Sequence, residues 1–239
     1  MNIAKLDSWV KEKEGIKILD RQAIESLQLE KLNRLLEREY ARQGFYRNLP
    51  RRLNSLKELE NLPFTTEQDL KEQGNRMLLV SQSKIERVRS WETSGTTGPA
   101  KRVFYTARDN DRTVSFFSAG LSELIHWGEK ALIAMPFTGD RGLGELIQEA
   151  VEGLGAVPVP AGNMRSFGEM LELLDEEKPE TFIGPPVLLL SLLRMRPKSS
   201  IKRGLVSGDA CPPGIMKAIE ERLGTRLYPH YGSREMGLG

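Results

Sequence analysis

Five short apolar runs, spaced at a nearly constant interval, limit what this chain can fold into more than any other feature. They are Ala131-Leu-Ile-Ala-Met135, Ala156-Val-Pro-Val159, Thr181-Phe-Ile183, Gly204-Leu-Val206 and Arg226-Leu-Tyr228, each beginning about 22 to 25 residues after the last. That interval holds a strand, a helix and two short loops, the βαβ repeat that joins parallel strands. Helical candidates fill the gaps at Gly144–Gly153, Phe167–Glu177, Val187–Arg194 and Gly214–Leu223, and in the last of these Ile215, Ile219 and Leu223 recur every fourth residue. Pro185-Pro186 and Pro212-Pro213 open the last two helices, where a missing N–H costs nothing. The pattern predicts an α/β fold, an open and mostly parallel sheet flanked by helices. In such a sheet ligands bind beyond the carboxyl ends of the strands, and glycine-bearing turns follow several of the runs.

Residues 1–84 read differently, as a helical N-terminal lead-in packed on the main domain, 85–239. Within Arg21 to Arg42, Ile24, Leu27, Leu32, Leu35, Leu36 and Tyr40 recur at helical spacing, an apolar stripe on a helix otherwise covered in Glu, Lys and Arg. Phe45 to Pro50 breaks this helix. A new one starts after Leu62-Pro-Phe-Thr-Thr, with Thr65 or Thr66 as its cap and Glu67 to Asp69 at its positive end. Phe45 and Tyr46 are read as packing residues. A further helix is expected over Ala107 to Trp127, with Phe116, Phe117, Leu121 and Leu124 turned inward and His126 capping or packing there.

Composition narrows the function classes. With 239 residues and 39% apolar content the chain is expected to be a soluble globular protein with a sizeable core. A net charge of +2 gives no field to attract nucleic acid, so no nucleic-acid partner is expected. Cys211, the single cysteine, has no partner for an internal disulfide, Met1 to Val10 lacks the apolar core of a signal peptide, and no run reaches transmembrane length. The expectation is therefore a cytoplasmic protein off the membrane. Two histidines and one cysteine argue against a zinc site or a Cys/His nucleophile pair.

The densest chemistry lies in Trp91-Glu-Thr-Ser-Gly-Thr-Thr-Gly-Pro-Ala-Lys-Arg102. Arg87–Trp91 and Arg102–Thr106 read as two strands with this loop at the tip of their hairpin. Gly95 and Gly98 can take positive φ and bring backbone N–H groups close to an anion, while Thr93, Ser94, Thr96 and Thr97 add hydroxyl donors. Lys101 supplies a positive charge. Gly-x-x-Gly alone is most often an ordinary turn. The spacing also fails the Gly-x-x-x-x-Gly-Lys-Ser/Thr pattern of P-loop NTPases.

Ser94-Gly-Thr-Thr-Gly98 followed by Lys101 resembles the phosphate-binding loop of the adenylate-forming enzymes: acyl-CoA synthetases, luciferases and the adenylation domains of peptide synthetases. In that family the proline directly precedes the lysine, whereas Pro99 sits one place earlier. Later motifs agree in order and spacing. Pro136-Phe-Thr-Gly-Asp-Arg-Gly-Leu-Gly144 resembles the glycine-rich turn that lines the acyl pocket in phenylacetate-CoA ligases, which implies pocket roles for Phe137, Thr138, Gly139 and Gly142. Ser207-Gly-Asp-Ala-Cys-Pro212 occupies the place of the turn against which adenine lies, implying that role for Gly208, Asp209 and Ala210. Tyr231-Gly-Ser-Arg-Glu235 resembles the Tyr-Gly-x-Thr/Ser-Glu motif. The resemblance gives Tyr231 and Gly232 to adenine and Glu235 to Mg²⁺, with Arg234 standing where a hydroxyl residue is usual. Phe45-Tyr-Arg and Leu62-Pro-Phe-Thr-Thr extend the likeness to the lead-in, so it covers most of the chain.

The resemblance implies attack of a substrate carboxylate on the α-phosphate of ATP to give an acyl-adenylate and pyrophosphate, then acyl transfer to coenzyme A. Lys101 and Glu235 are the residues expected to carry it, with ATP or AMP, Mg²⁺ and coenzyme A bound. The acid is expected to be aryl, by the family branch. In the family a ribose-binding aspartate, a hinge and a mobile C-terminal domain with a catalytic lysine follow the Tyr-Gly motif. The sequence stops at Gly239, so that domain is expected to be absent and the chain catalytically incomplete. Its macromolecular partner would be a second copy or a separate C-terminal polypeptide. The alternative is a free-standing nucleotide-binding module without turnover.

Overall fold

The computed structural model describes residues 5–91, 101–162 and 166–233. They fall into two units, one Asp7–Ala107 and the other Arg108–Gly239 together with the chain's first residues, Met1–Leu6. Three helices open the chain: α1 (Lys5–Glu14), α2 (Arg21–Ala41) and α3 (Glu67–Gln73). An antiparallel hairpin follows, β1 (Ile85–Trp91) and β2 (Lys101–Thr106), which pairs Trp91 with Lys101 at the end that leads into the connecting residues. Asp20 caps α2 through the Ala23 N–H. Thr66 caps α3 in a capping box with Asp69, while Thr65 bonds the Tyr46 hydroxyl at 2.7 Å. Phe45 and Tyr46 pack edge to face, as their packing role predicts.

The inward face of α2 is not the stripe expected from its leucines. Leu36 is buried together with two polar residues, Asn33 and Glu39, whereas Leu35 is 43% and Tyr40 38% exposed. The polar pair holds the chain that returns over the helix. The Asn33 amide accepts from the Leu53 N–H and donates to the Leu53 carbonyl. Glu39 takes the Tyr46 N–H and the Arg42 guanidinium. Tyr40 lies instead under the Arg51 guanidinium, 3.4 Å from its ring centre.

The second unit begins with α4 (Ala107–Leu121) and then alternates: β3 (Lys130–Ile133), α5 (Leu143–Gly153), β4 (Val157–Pro160), α6 (Phe167–Glu177), β5 (Thr181–Gly184), α7 (Pro186–Met195), β6 (Arg203–Val206), α8 (Pro213–Leu223) and β7 (Tyr228–Pro229). The five strands form one parallel sheet in the order β4-β3-β5-β6-β7, as the spacing of the apolar runs predicts. Both faces are covered, which is why the runs are uninterrupted. Leu132, Ala134, Phe182 and Val206 point to the face packed by α6, α7 and α8, with Met170, Leu174, Leu189, Leu192 and Ile219 opposite them. Their neighbours Ala131, Ile133, Met135 and Ile183 point to the other face, against Phe117 and Leu121 of α4 and Ile147, Ala150 and Val151 of α5.

Strand β4 lies at a sheet edge, and its prolines suit that place. Val157 donates to Glu129, just before β3, and Ala161 to Ile133 at its end, so the alternate positions, Pro158 and Pro160, are those whose N–H would point away from the sheet. Helix α4 stops six residues earlier than its periodicity predicts. The Ser122 hydroxyl donates to the Ala119 carbonyl and the Leu124 N–H closes a tighter turn on Leu121, which buries Leu124 and Ile125. His126 is exposed, and its backbone N–H rather than its ring is engaged, by Glu129. Among the described residues no helix is long and apolar enough to cross a membrane.

Candidate functional site

The connections that leave β3 and β5 run to opposite edges of the sheet, so the topological switch lies between these two strands. An open α/β sheet presents its ligand crevice there, beyond the carboxyl ends. Three candidate turns sit at that end. The turn after β3 runs from Pro136, the turn after β6 from Ser207, and the turn after β7 from His230. Adjacent strands are about 4.8 Å apart, so the β6 and β7 turns are direct neighbours and the β3 turn lies about 10 Å from β6, across β5.

The β6 turn is anchored by the Ser207 N–H on the Gly184 carbonyl of β5 at 3.0 Å. Gly208 then takes φ +84°, a conformation that side-chain-bearing residues rarely adopt, and a Cβ built there would lie 3.7 Å from the Met135 Cε at the end of β3. Asp209 accepts the Ala210 N–H at 2.7 Å, which folds the turn on itself. Gly208, Asp209 and Ala210 are all exposed. Beside them the His230 N–H bonds the Val206 carbonyl at 2.8 Å and its Nδ1 lies 2.9 Å from the Ser207 Oγ. Tyr231 follows, 84% exposed, and then Gly232, also exposed. The candidate adenine residues thus lie side by side at one end of the sheet, with an open ring next to a backbone turn.

The β3 turn is fixed by α5. Glu145 accepts the Thr138 and Gly139 N–H groups on a single carboxylate oxygen, at 2.7 and 2.5 Å, and its second oxygen is buried without a hydrogen-bond partner. Gly139 takes φ +86° and Gly142 is the N-cap of α5. Phe137 packs with the core on the α5 face, and a Cβ at Gly144 would come within 2.7 Å of its ring, so the helix start and the turn are fitted closely. Arg141 bonds Glu149 and Asp111. The sequence reading did not single out Glu145, Ser207 or His230 as site-forming. No local pattern signals the role of Glu145, because the N–H groups it accepts belong to the turn before α5 and not to the helix.

Lys101 opens β2 in the first unit and is half-buried. The loop residues Thr93, Ser94, Gly95, Thr96, Thr97 and Gly98, together with Arg234 and Glu235, lie outside the described residues.

Comparison with known proteins follows the same lines. A phenylacetate-coenzyme A ligase from Thermus thermophilus is 27% identical over 243 residues, covering 92% of this chain and 52% of the ligase. A long-chain-fatty-acid–CoA ligase from Bacillus subtilis is 28% identical over 150 residues, 60% of this chain and 26% of that protein. The chain thus spans about half the length of the first of these curated relatives and about a quarter of the second. Among solved structures, a 2-hydroxyisobutyryl-CoA ligase in complex with 2-HIB-AMP and CoA, in its thioesterification state, superposes with a TM-score of 0.75 at 22% identity, covering 92% of this chain and 51% of that one. At that identity the likeness establishes the fold. The AMP-binding enzyme family matches residues 92–239, more than half of the chain and the whole stretch from the Gly-Thr-Thr-Gly loop through the Tyr-Gly motif, and the chain belongs to that family.

Proposed function

We propose that this chain is the N-terminal, nucleotide- and acyl-binding portion of an adenylate-forming carboxylate–CoA ligase of the phenylacetate-CoA ligase type. The observation that carries this reading is the placement of the turns Gly208–Ala210 and Tyr231–Gly232 side by side beyond the carboxyl ends of β6 and β7. Exposed backbone groups on one turn meet the edge of a purine, and the 84% exposed Tyr231 ring offers its face. The turn after β3 is the acyl side of the same crevice in this reading, with Phe137 as its apolar wall. A ligase that shares this chain's 27% identity acts on an aryl acid by name, which favours an aryl substrate.

The reaction needs no side-chain nucleophile. A carboxylate oxygen of the substrate attacks the α-phosphorus of ATP and the bond to pyrophosphate breaks; the coenzyme A thiolate then attacks the acyl carbonyl and AMP leaves. Negative charge grows on the phosphates, and Lys101 with the hydroxyls and N–H groups of Thr93–Gly98 is assigned to them. Mg²⁺ would supply further charge neutralisation. A lone carboxylate, Glu235, together with ATP oxygens is a donor set that suits it, since Mg²⁺ is commonly held by one or two carboxylates and substrate phosphates. Among the described residues no cluster of three His, Cys, Asp or Glu would hold a metal without the nucleotide.

The test is calorimetry with ATP and AMP on the wild-type chain and on Lys101→Ala, beside ATP–pyrophosphate exchange over a panel of aryl and fatty acids. Lys101→Ala is expected to weaken ATP far more than AMP, because the lost charge serves the β- and γ-phosphates. Equal weakening of both nucleotides would refute the assignment. A stand-alone binding module would bind nucleotide yet show no exchange, alone or with a downstream polypeptide added.

A further inference from the structure

One side-chain pair ties together the two turns assigned to the base. His230 ends β7, and its Nδ1 lies 2.9 Å from the Oγ of Ser207, the residue directly before Gly208. The ring packs on Phe117 and Phe116 of α4, with centroids 5.6 and 6.3 Å away. Its Nε2 is buried and makes no hydrogen bond, which costs folding free energy. A phenylalanine would fill the same apolar layer without burying an orphan nitrogen. What it would lack is the bond to Ser207.

We infer that Ser207 and His230 are positioning residues whose hydrogen bond sets the turn Gly208–Ala210 against Tyr231, so that a purine base meets its polar edge and its stacking ring in register. The inference rests on the nucleotide reading above and deepens it. Each partner stands one residue from the turn it controls, so a shift at the pair passes directly into the backbone that faces the base. Neither side chain has to touch the nucleotide. Strand β7 is only two residues long, so little other backbone pairing holds the Tyr231 turn to its neighbour.

The pair is also tuned to a neutral ring. Burial lowers the His230 imidazole below its ordinary range, so the ring is uncharged at neutral pH and is protonated only as pH falls through that lowered value. The titratable groups on the elements around it are Arg203 on β6 and Asp209 after it, Tyr228 and Tyr231 on its own strand and turn, and Arg108, Asp109, Asp111 and Arg112 at the start of α4. Burial, not any of these charges, is the cause of the shift. A protonated ring would place a charge against Phe116 and Phe117, and its Nδ1–H could bond Ser207 only with the hydroxyl as acceptor.

The experiment uses the whole 239-residue chain. AMP affinity is measured by calorimetry from about pH 5 to pH 8, across the range in which histidines titrate. Ser207→Ala and His230→Phe are each expected to weaken AMP about five- to tenfold at pH 7.5, the loss of roughly one hydrogen bond. The double variant should bind no worse than either single one, because both remove the same bond. His230→Asn, whose amide oxygen stands near the place of Nδ1, should recover affinity to within about twofold and show a flat pH profile, whereas the wild type weakens on the acid side. If His230→Phe does not fold by circular dichroism, Ser207→Ala and His230→Asn carry the test. Additive losses, unchanged affinity in Ser207→Ala, or an acid-side loss that persists in His230→Asn would overturn the inference while leaving the nucleotide reading intact. A wild-type chain that does not bind AMP would overturn both.

Discussion

Asn33→Ala is expected to be among the most damaging single changes in the first unit. Its amide closes both backbone groups of Leu53, accepting the N–H at 2.8 Å and donating to the carbonyl at 3.0 Å. Leu53 is 2% and Asn33 9% exposed, so water does not readily replace the lost partner. Leaving a buried N–H or carbonyl unsatisfied costs about 1–3 kcal/mol each. Some relaxation of the loop will recover part of this, and the net loss is put at about 2–4 kcal/mol, a large share of the roughly 5–15 kcal/mol that holds a domain together. Urea denaturation should show the midpoint falling by about 1–2 M, given slopes of about 1–3 kcal/mol/M. Hydrogen exchange at the Leu53 amide should speed up in parallel. Gln28→Ala, exposed on the same helix, is the control and should change stability by less than about 0.5 kcal/mol. An Asn33→Ala protein as stable as this control would refute the reasoning.

Other expectations test the second unit and the site. Burial works to raise the Glu129 pKa, but the His126 N–H and the Arg203 guanidinium prevail and hold it below its ordinary 4.5. That contribution is full above pH 4.5 and fades as pH falls through the lowered value, so Glu129→Gln should cost about 1–2 kcal/mol at pH 7 and flatten the acid limb of a pH–stability curve, whereas an acid limb parallel to wild type would contradict the role. Gly184→Ala should destabilise by about 1–3 kcal/mol in the same urea assay, because its Cβ would sit 2.8 Å from the Ala134 Cβ and 3.1 Å from the Ala134 carbonyl oxygen; an unchanged midpoint would show that the strand end yields freely. Glu235→Gln should leave metal-free nucleotide affinity nearly unchanged and remove its Mg²⁺ dependence, as calorimetry with and without Mg²⁺ would reveal; a persisting metal effect would exclude the assignment.

The sheet was legible because strands buried on both faces must be apolar without interruption, so their runs stand out against charged helices even at four residues. Helix starts were legible where capping chemistry is local, as at Thr66 with Asp69. Features set by distant partners were not. The inward face of α2 turns on Asn33 and Glu39, polar residues that periodicity counts as surface, because their partners at Leu53 and Tyr46 lie in a separate loop. The early stop of α4 depends on Ser122 donating to a helix carbonyl and on Leu124 and Ile125 finding cover, which a helical pattern does not register. At the candidate site, motifs pointed to glycines and to residues of known chemical type. The supports, Glu145 under the Thr138 turn and His230 against Ser207, join residues 7 and 23 positions apart and became visible only in three dimensions.

The claim that nucleotide binds beyond the carboxyl ends of β6 and β7 is tested most directly by mapping backbone amide shifts of the isotope-labelled chain during an AMP titration. The largest shifts should fall on Ser207 to Ala210 and on Tyr231 and Gly232, with smaller ones on Phe137 to Gly139 and none in the hollow of about 330 Å³ lined by Asp175, Met195 and Arg196. Shifts centred on that hollow, or on the edge strand β4, would contradict the placement of the site.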